Sequence, residues 1–198
     1  MPGLLLFSNP GLFMYKLLLL LFLFIDTGVK AQTQGPGIGK FEMKTIEGKK
    51  YVLNDFEKLR VFIFLSPGCP LSQKYTLTLN ELAKEFQDKA EFYGVFAETN
   101  PVLNDYKDFK KKYKIRFTLF VDKEKKLVKT LTASVTPEAF VISKGKVVYH
   151  GAIDDWAIEL GKTKKSSTIN FVRNALICAI ANKTPVPDYS KPIGCFID

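Results

Sequence analysis

The chain has 198 residues, of which 46% are hydrophobic and 25% charged, and carries a formal net charge of +9. That balance excludes a disordered or fibrous polymer and provides length for one domain with a sizeable core. The positive charge is concentrated in lysine-rich blocks at 110–112, 123–129 and 162–165, which fall on predicted helix faces, turns and loops among acidic residues, so it reads as solvated surface and no nucleic-acid partner is expected.

Residues 1–31 read as a signal peptide. Met14-Tyr-Lys16 is a short basic start, Leu17 to Ile25 is an apolar run, and Val29-Lys-Ala31 has the small residues that a signal peptidase reads. A transmembrane span needs about 20 apolar residues, so no membrane insertion is expected after cleavage; an uncleaved N-terminal anchor is the alternative, given the further apolar stretch Leu4–Phe7. Removal of 1–31 takes away Lys16, Lys30 and Asp26 and leaves the chain basic. Residues 32–37 form a Gly/Pro-rich leader, and the domain is placed at 38–198.

In chain order, Phe41–Ile46 and Tyr51–Leu53 read as a hairpin about a Gly turn, and Arg60–Leu65 as a buried strand. The run then meets Ser66-Pro-Gly-Cys-Pro70, and Leu71, Tyr75, Leu79, Leu82 and Phe86 follow at the spacing of one helical face, giving a helix from Pro70 to Gln87. Cys69 therefore stands at a helix start, where unpaired N–H groups and the positive end of the macrodipole favour thiolate, the nucleophilic form. A strand at Glu91–Ala97 and a helix at Pro101–Tyr113, with Leu103, Tyr106, Phe109 and Tyr113 inward, complete a β-α-β-α half. Next come a strand at Phe117–Val121, a helical or irregular stretch at Glu124–Leu131, the turn Ser134–Pro137 and a hairpin of Ala139–Ile142 with Lys146–His150. A polar loop, Asp154–Ser167, leads to a helix at Thr168–Asn182 whose core stripe is Ile169, Val172, Leu176, Ala179 and Ile180. The tail, 183–198, reads as extended and mobile, because Pro185, Pro187 and Pro192 oppose regular structure.

In an exported chain three cysteines permit one disulfide and one remaining thiol, and the residues alone leave the pairing open among Cys69, Cys178 and Cys195. Cys178 lies among Leu176, Ile177 and Ile180 in the last helix and reads as structural. Cys195 lies in a polar tail that does not force burial. His150 is the single histidine and ends a strand, so no metal set and no cofactor are expected.

Three segments carry a family likeness: Phe64-Leu-Ser-Pro-Gly-Cys-Pro-Leu-Ser-Gln-Lys-Tyr75; Val135 to Ile142, with Val148-Tyr-His-Gly-Ala-Ile-Asp-Asp155; and Pro185-Val-Pro with Pro192-Ile-Gly-Cys195. Over about residues 38–198 the chain resembles the redoxin branch of the thioredoxin-like superfamily, which includes alkyl hydroperoxide reductase and thiol-specific antioxidant proteins, and most resembles exported bacterial members. The resemblance implies an α/β thioredoxin-like fold, a central mixed β-sheet flanked by helices, with an N-terminal hairpin and a C-terminal tail. It puts Cys69 at the attacking cysteine, Ser72 where a second one stands in Cys-X-X-Cys, and Thr136-Pro137 at the cis-proline loop facing the active thiol. Pro70 and Ser66 support the site, and Ser66 takes the place of a peroxidase threonine. On this footing the chain is expected to be an exported thiol-disulfide oxidoreductase, periplasmic or secreted, with Cys69 as nucleophile, Cys195 as resolving cysteine and protein or small-molecule thiols and disulfides as partners. Two alternatives stand beside it. One is a thiol peroxidase acting on peroxide, for which Phe62 occupies the position of a motif proline and none of Arg60, Arg116 and Arg173 can be assigned as the cationic partner. The other is a non-enzymatic binding or copper-carrying module, for which Gln73 occupies the position of a second ligand cysteine.

Overall fold

A run of apolar residues with no polar interruption past Arg60 forms the central strand of the domain, because a strand covered on both faces needs no alternation. The coordinates are a computed structural model and describe residues 38–197 apart from Phe56 and Pro101. The expected signal peptide and leader lie outside the described residues.

The elements are β1 (Phe41–Thr45), β2 (Lys50–Leu53), β3 (Leu59–Leu65), α1 (Pro70–Glu85), β4 (Ala90–Phe96), α2 (Leu103–Lys112), β5 (Thr118–Val121), α3 (Lys126–Leu131), β6 (Val135–Thr136), β7 (Glu138–Ser143), β8 (Lys146–Gly151), β9 (Ala157–Glu159), β10 (Lys162–Thr163), α4 (Phe171–Ile180), β11 (Tyr189–Ser190) and β12 (Cys195–Phe196). Eight strands make a mixed sheet in the order β11-β8-β7-β3-β4-β5-β1-β2. β3, β4 and β5 run parallel, while β7 and β1 flank them antiparallel. Alternate residues of β3 serve the two faces: Val61, Ile63 and Leu65 pack under α1, α2 and α4, and Phe62 and Phe64 pack on the other face with Phe120, Phe140 and Leu127 and Leu131 of α3. This is the expected α/β arrangement with an N-terminal hairpin.

The short α3 depends on a buried carboxylate. Asp122 accepts hydrogen bonds from the backbone N–H groups of Lys126 at 2.8 Å, Leu127 at 2.8 Å and Val128 at 3.0 Å, the orphan donors of the first turn. Asp122→Ala is expected to cost about 2 kcal/mol and to lower the melting midpoint by about 4–8 °C, read by thermal unfolding.

Four expectations need correction. Leu103 is 46% exposed, because α2 turns only Tyr106 and Phe109 inward. The last helix begins at Phe171, with the Asn170 side chain accepting from Arg173 N–H at 2.9 Å, and it buries Val172, Ala175 and Leu176, leaving Ile169 and Ile180 largely outside the core. The Asp154–Ser167 loop carries the small β9–β10 hairpin. The tail is also not irregular. β11 adds parallel to β8, and β12 pairs antiparallel with β6, Cys195 opposite Thr136 and Phe196 opposite Val135. Pro185 and Pro187 precede β11 and Pro192 falls between β11 and β12, so the paired residues keep their donors. Two glycines admit the tail: a Cβ at Gly151, whose φ is +123°, would collide with the Ser190 carbonyl, and one at Gly194 would collide with the Thr136 carbonyl.

Candidate active site

The carboxyl ends of β3 and β4 open onto the loop before α1, where Cys69 is the N-cap residue, extended at φ −86° and ψ 117°, and Pro70 takes the first helical position. Proline there gives up a donor that the helix does not use. The loop is held by its own side chains: the Ser66 N–H donates to Ser72 Oγ at 3.2 Å, Gln73 Nε2 donates to the Pro67 carbonyl at 2.7 Å, and the Cys69 N–H donates to the Ser66 carbonyl at 3.1 Å. Ser72 is fully buried as that clamp, while Pro70 is exposed and Ser66 half-buried.

Opposite the thiol stands β6 with a cis Thr136–Pro137 peptide. Cys69 Sγ lies 3.0 Å from the Thr136 carbonyl and 2.8 Å from Cys195 Sγ, and both cysteines are free thiols. The loop carrying Thr136 is braced by Glu138, a buried carboxylate that accepts from the Ser134 N–H at 2.8 Å and the Val135 N–H at 3.3 Å. β12 is tied on by Ile197 N–H to the Ser134 carbonyl at 3.0 Å and by Thr136 Oγ1 donating to the Cys195 carbonyl at 3.4 Å. Chain segments 126 residues apart thus meet at two sulfurs.

The two thiols are electrostatically unequal. Burial, the largest single influence on Cys69, raises its pKa, but the hydrogen bond from the Cys195 thiol and backbone N–H groups of Ser72, Cys195 and Leu71 outweigh it and lower the value. A thiol at Cys69 donates to the Thr136 carbonyl; a thiolate instead accepts from Cys195 and faces that carbonyl, which limits how far the value falls. Burial and then the adjacent Cys69 push Cys195 up to about 11. The two sulfurs therefore differ in acidity, and Cys69 is the one that ionises first, with the Cys195 thiol as a hydrogen-bond donor to it. Cys195→Ala removes a donor to the thiolate, so the pH midpoint for alkylation of Cys69 by iodoacetamide is expected to rise by about one unit.

Beneath the site the Tyr75 hydroxyl donates to the buried Asp154 Oδ1 at 2.6 Å, and Trp156 packs edge-on against the Tyr75 ring at 5.5 Å. Burial, with Asp154, raises the Tyr75 phenol above its usual range. Beside Cys195 opens a cavity of about 300 Å³, walled by Ser66, Glu98, Asn100, Thr136, Cys195 and Phe196 among others. Sequence reasoning missed Glu98, Glu138 and Phe196. Glu138 follows Pro137 directly, and that adjacency was its one signal; Glu98 and Phe196 have none without the fold.

The structure brings together Cys69, Cys195, Ser66, Pro70, Ser72, Thr136 and Pro137. It keeps the arginines away. Arg60 pairs with Glu91 at 3.1 Å at the amino end of β3, and Arg116 lies just before β5, whose Thr118 is opposite Tyr93, at the same end of the sheet. Arg173 pairs with Glu85 at 2.8 Å, one α1 length, about 24 Å, from Cys69. Cys178 is half-buried on α4, and His150 lies between the rings of Phe140 and Tyr189 with Nδ1 4.0 Å from Glu138 Oε1. Among the described residues no three His, Cys, Asp or Glu side chains converge as a metal set, and no helix is long and apolar enough to cross a membrane.

Comparison with known proteins agrees with the architecture. The model of the AhpC/TSA family matches residues 35–150. The thiol-disulfide oxidoreductase ResA of Bacillus thuringiensis subsp. konkukian is 32% identical over 111 residues, covering 54% of this chain and 63% of the relative, so the chain spans less than two thirds of that protein's length. Among solved structures, a hypothetical protein of Sinorhizobium meliloti 1021 superposes with a TM-score of 0.72 at 20% identity, over 85% of this chain and 95% of that one. The thioredoxin domain of a thiol-disulfide oxidoreductase from Bacteroides vulgatus gives 0.51 at 20% identity, over 59% of this chain and 86% of that one. The structural likenesses establish a thioredoxin-like fold.

Proposed function

Starting from the fact that the chain belongs to the AhpC/TSA family, we propose that it is an exported thiol-disulfide oxidoreductase in which Cys69 is the nucleophile and Cys195 the resolving cysteine. The observation that carries the reading is the 2.8 Å approach of the two sulfurs, one at a helix N-terminus and the other on a docked tail. The Cys69 thiolate attacks one sulfur of a substrate disulfide, the S–S bond breaks, and one thiolate leaves. Cys69 then carries a mixed disulfide, so the charge that held the Cys195 proton is gone and Cys195 ionises more readily. Its thiolate attacks Cys69 Sγ, releasing the second substrate thiolate and closing a Cys69–Cys195 disulfide. The substrate gains two electrons, the protein loses two, and a dithiol reductant resets the pair; run backwards, the same steps oxidise a dithiol substrate.

Ser66, Pro70, Ser72, Thr136 and Pro137 act as positioning residues, shaping the loop and the facing carbonyl. The distance of all three arginines from Cys69 favours disulfide exchange over peroxide reduction, which needs a cation at the sulfur. Export rests on the residue 14–31 pattern.

The test is to react the reduced protein with an aromatic disulfide and map the product by mass spectrometry. Two equivalents of aromatic thiolate and an intramolecular Cys69–Cys195 bond are expected. A stable adduct on Cys69, or a bond between Cys195 and Cys178, overturns the paired reading, and rapid consumption of hydrogen peroxide without disulfide turnover replaces it with a peroxidase.

A further inference from the structure

Access to Cys69 is narrow. The residue is 1% exposed, and the backbone edge beside its sulfur, β6, is already paired with β12. An extended polypeptide gains affinity at such a site by adding main-chain hydrogen bonds along an open strand edge. Here Gly194 fits against the Thr136 carbonyl with no room for a side chain, and Cys195–Phe196 uses the edge that an incoming strand needs. What stays open is the cavity of about 300 Å³ beside Cys195, at the small end of ligand-sized pockets.

Its walls are chemically one-sided. Glu98 is the single ionisable carboxylate among its lining residues, which include no Lys, Arg or His. Glu98 is held in place by the Tyr106 hydroxyl, which donates to Oε2 at 2.7 Å. Ser66, Thr99 and Asn100 are neutral, and Phe196, 82% exposed, adds an apolar lip. The net charge of the chain is positive, but no Lys or Arg lines the cavity and charges beyond a Debye length of about 10 Å are screened, whereas Glu98 acts within the cavity itself.

Resting on the reading of Cys69 and Cys195 as a redox pair, we propose that the substrate is a small disulfide that enters this cavity, that Glu98 selects molecules bearing a cationic end, and that docked β12 excludes extended polypeptide. Cys69 lies just behind the cavity wall, its sulfur 3.0 Å from the Thr136 carbonyl and 2.8 Å from Cys195 Sγ, two residues that line it, so the disulfide sulfur is presented at that inner wall, where Cys69 attacks it and the leaving thiolate departs past Phe196.

The test uses the full chain with Cys195→Ser, which stops the reaction at the mixed disulfide with β12 retained. Acid-quenched rates of adduct formation, read by intact mass, are measured with cystamine (cationic), bis(2-hydroxyethyl) disulfide (neutral), dithiodiglycolate (anionic) and a disulfide-linked dimer of a neutral ten-residue peptide, each divided by its rate with 2-mercaptoethanol. Cystamine is expected to exceed dithiodiglycolate by about tenfold at low salt, with the neutral compound between them. Glu98→Gln is expected to bring the two charged compounds within about twofold of each other. The peptide dimer is expected to react about tenfold more slowly than the neutral small disulfide, and adding Gly194→Ala to narrow that gap. Equal rates for the charged compounds, a preference that survives Glu98→Gln, or a peptide as fast as the small neutral disulfide overturns the proposal. If none of the four modifies Cys69, the redox reading itself fails and the substrate assignment falls with it.

Discussion

If Cys195 resolves as proposed, replacing it by serine is expected to leave the first thiol transfer intact and to lower steady-state disulfide turnover by at least about a hundredfold, because a sulfur 2.8 Å away is exchanged for a dilute external thiol. Mixed disulfides on Cys69 then accumulate and appear as a mass increment. Cys69→Ser is expected to abolish both steps, since it removes the attacking sulfur and no other described thiol stands at a helix N-terminus. The two variants thus separate the roles. Equal loss in both, with no trapped adduct, would show that Cys195 serves Cys69 as a proton donor and not as its resolving partner. Turnover by Cys69→Ser at the normal rate would remove the mechanism altogether.

The second large effect is expected from a residue with no side chain. At Gly194 an added Cβ meets the Thr136 carbonyl, a backbone atom held by β6 and braced through Glu138, so the tail must yield and not the loop. Gly194→Ala is therefore expected to lift β12 from β6, part the sulfurs and turn a fixed contact into a tethered encounter. Resolution is expected to slow by about ten- to a hundredfold. The pH midpoint of Cys69 alkylation rises in the same variant, because two of the groups that stabilise its thiolate, the Cys195 thiol and the Cys195 N–H, leave with the tail. Melting temperature serves as the control: the core of β3, α1 and α4 is untouched, so it changes little. A global loss of structure, or unaltered resolution with an unaltered alkylation profile, would show that docking of β12 does not govern the chemistry.

Much of the fold was legible from local pattern. The uninterrupted apolar run before Ser66 could only be a covered strand, and the spacing of Leu71, Tyr75, Leu79 and Leu82 put four side chains on one buried face of α1. The place of Cys69 at a helix start was legible for the same reason, since that start is written in the Pro-Gly-Cys-Pro turn. Where pattern failed, the cause was packing. Ile169 and Ile180 are apolar and near the right spacing, yet α4 settles on Val172, Ala175 and Leu176 because it starts at the Asn170 cap and the small Ala175 allows close approach to the sheet. The tail failed differently. Prolines at 185, 187 and 192 argued for irregular chain, but they fall outside the paired positions, so Tyr189–Ser190 and Cys195–Phe196 still donate to neighbouring strands.

The sequence by itself determined the α/β order, the position of a thiol at a helix start and the absence of a second cysteine at Ser72, because these depend on residues close together in the chain. Tertiary structure decided which distant cysteine meets Cys69, where the arginines go and what lines the open side of the sulfur. Those outcomes depend on sheet order and on close approach at Gly151 and Gly194, where the lack of a Cβ lets one strand lie against another; a string of residues shows that a glycine is present but not which carbonyl will fill the space it leaves.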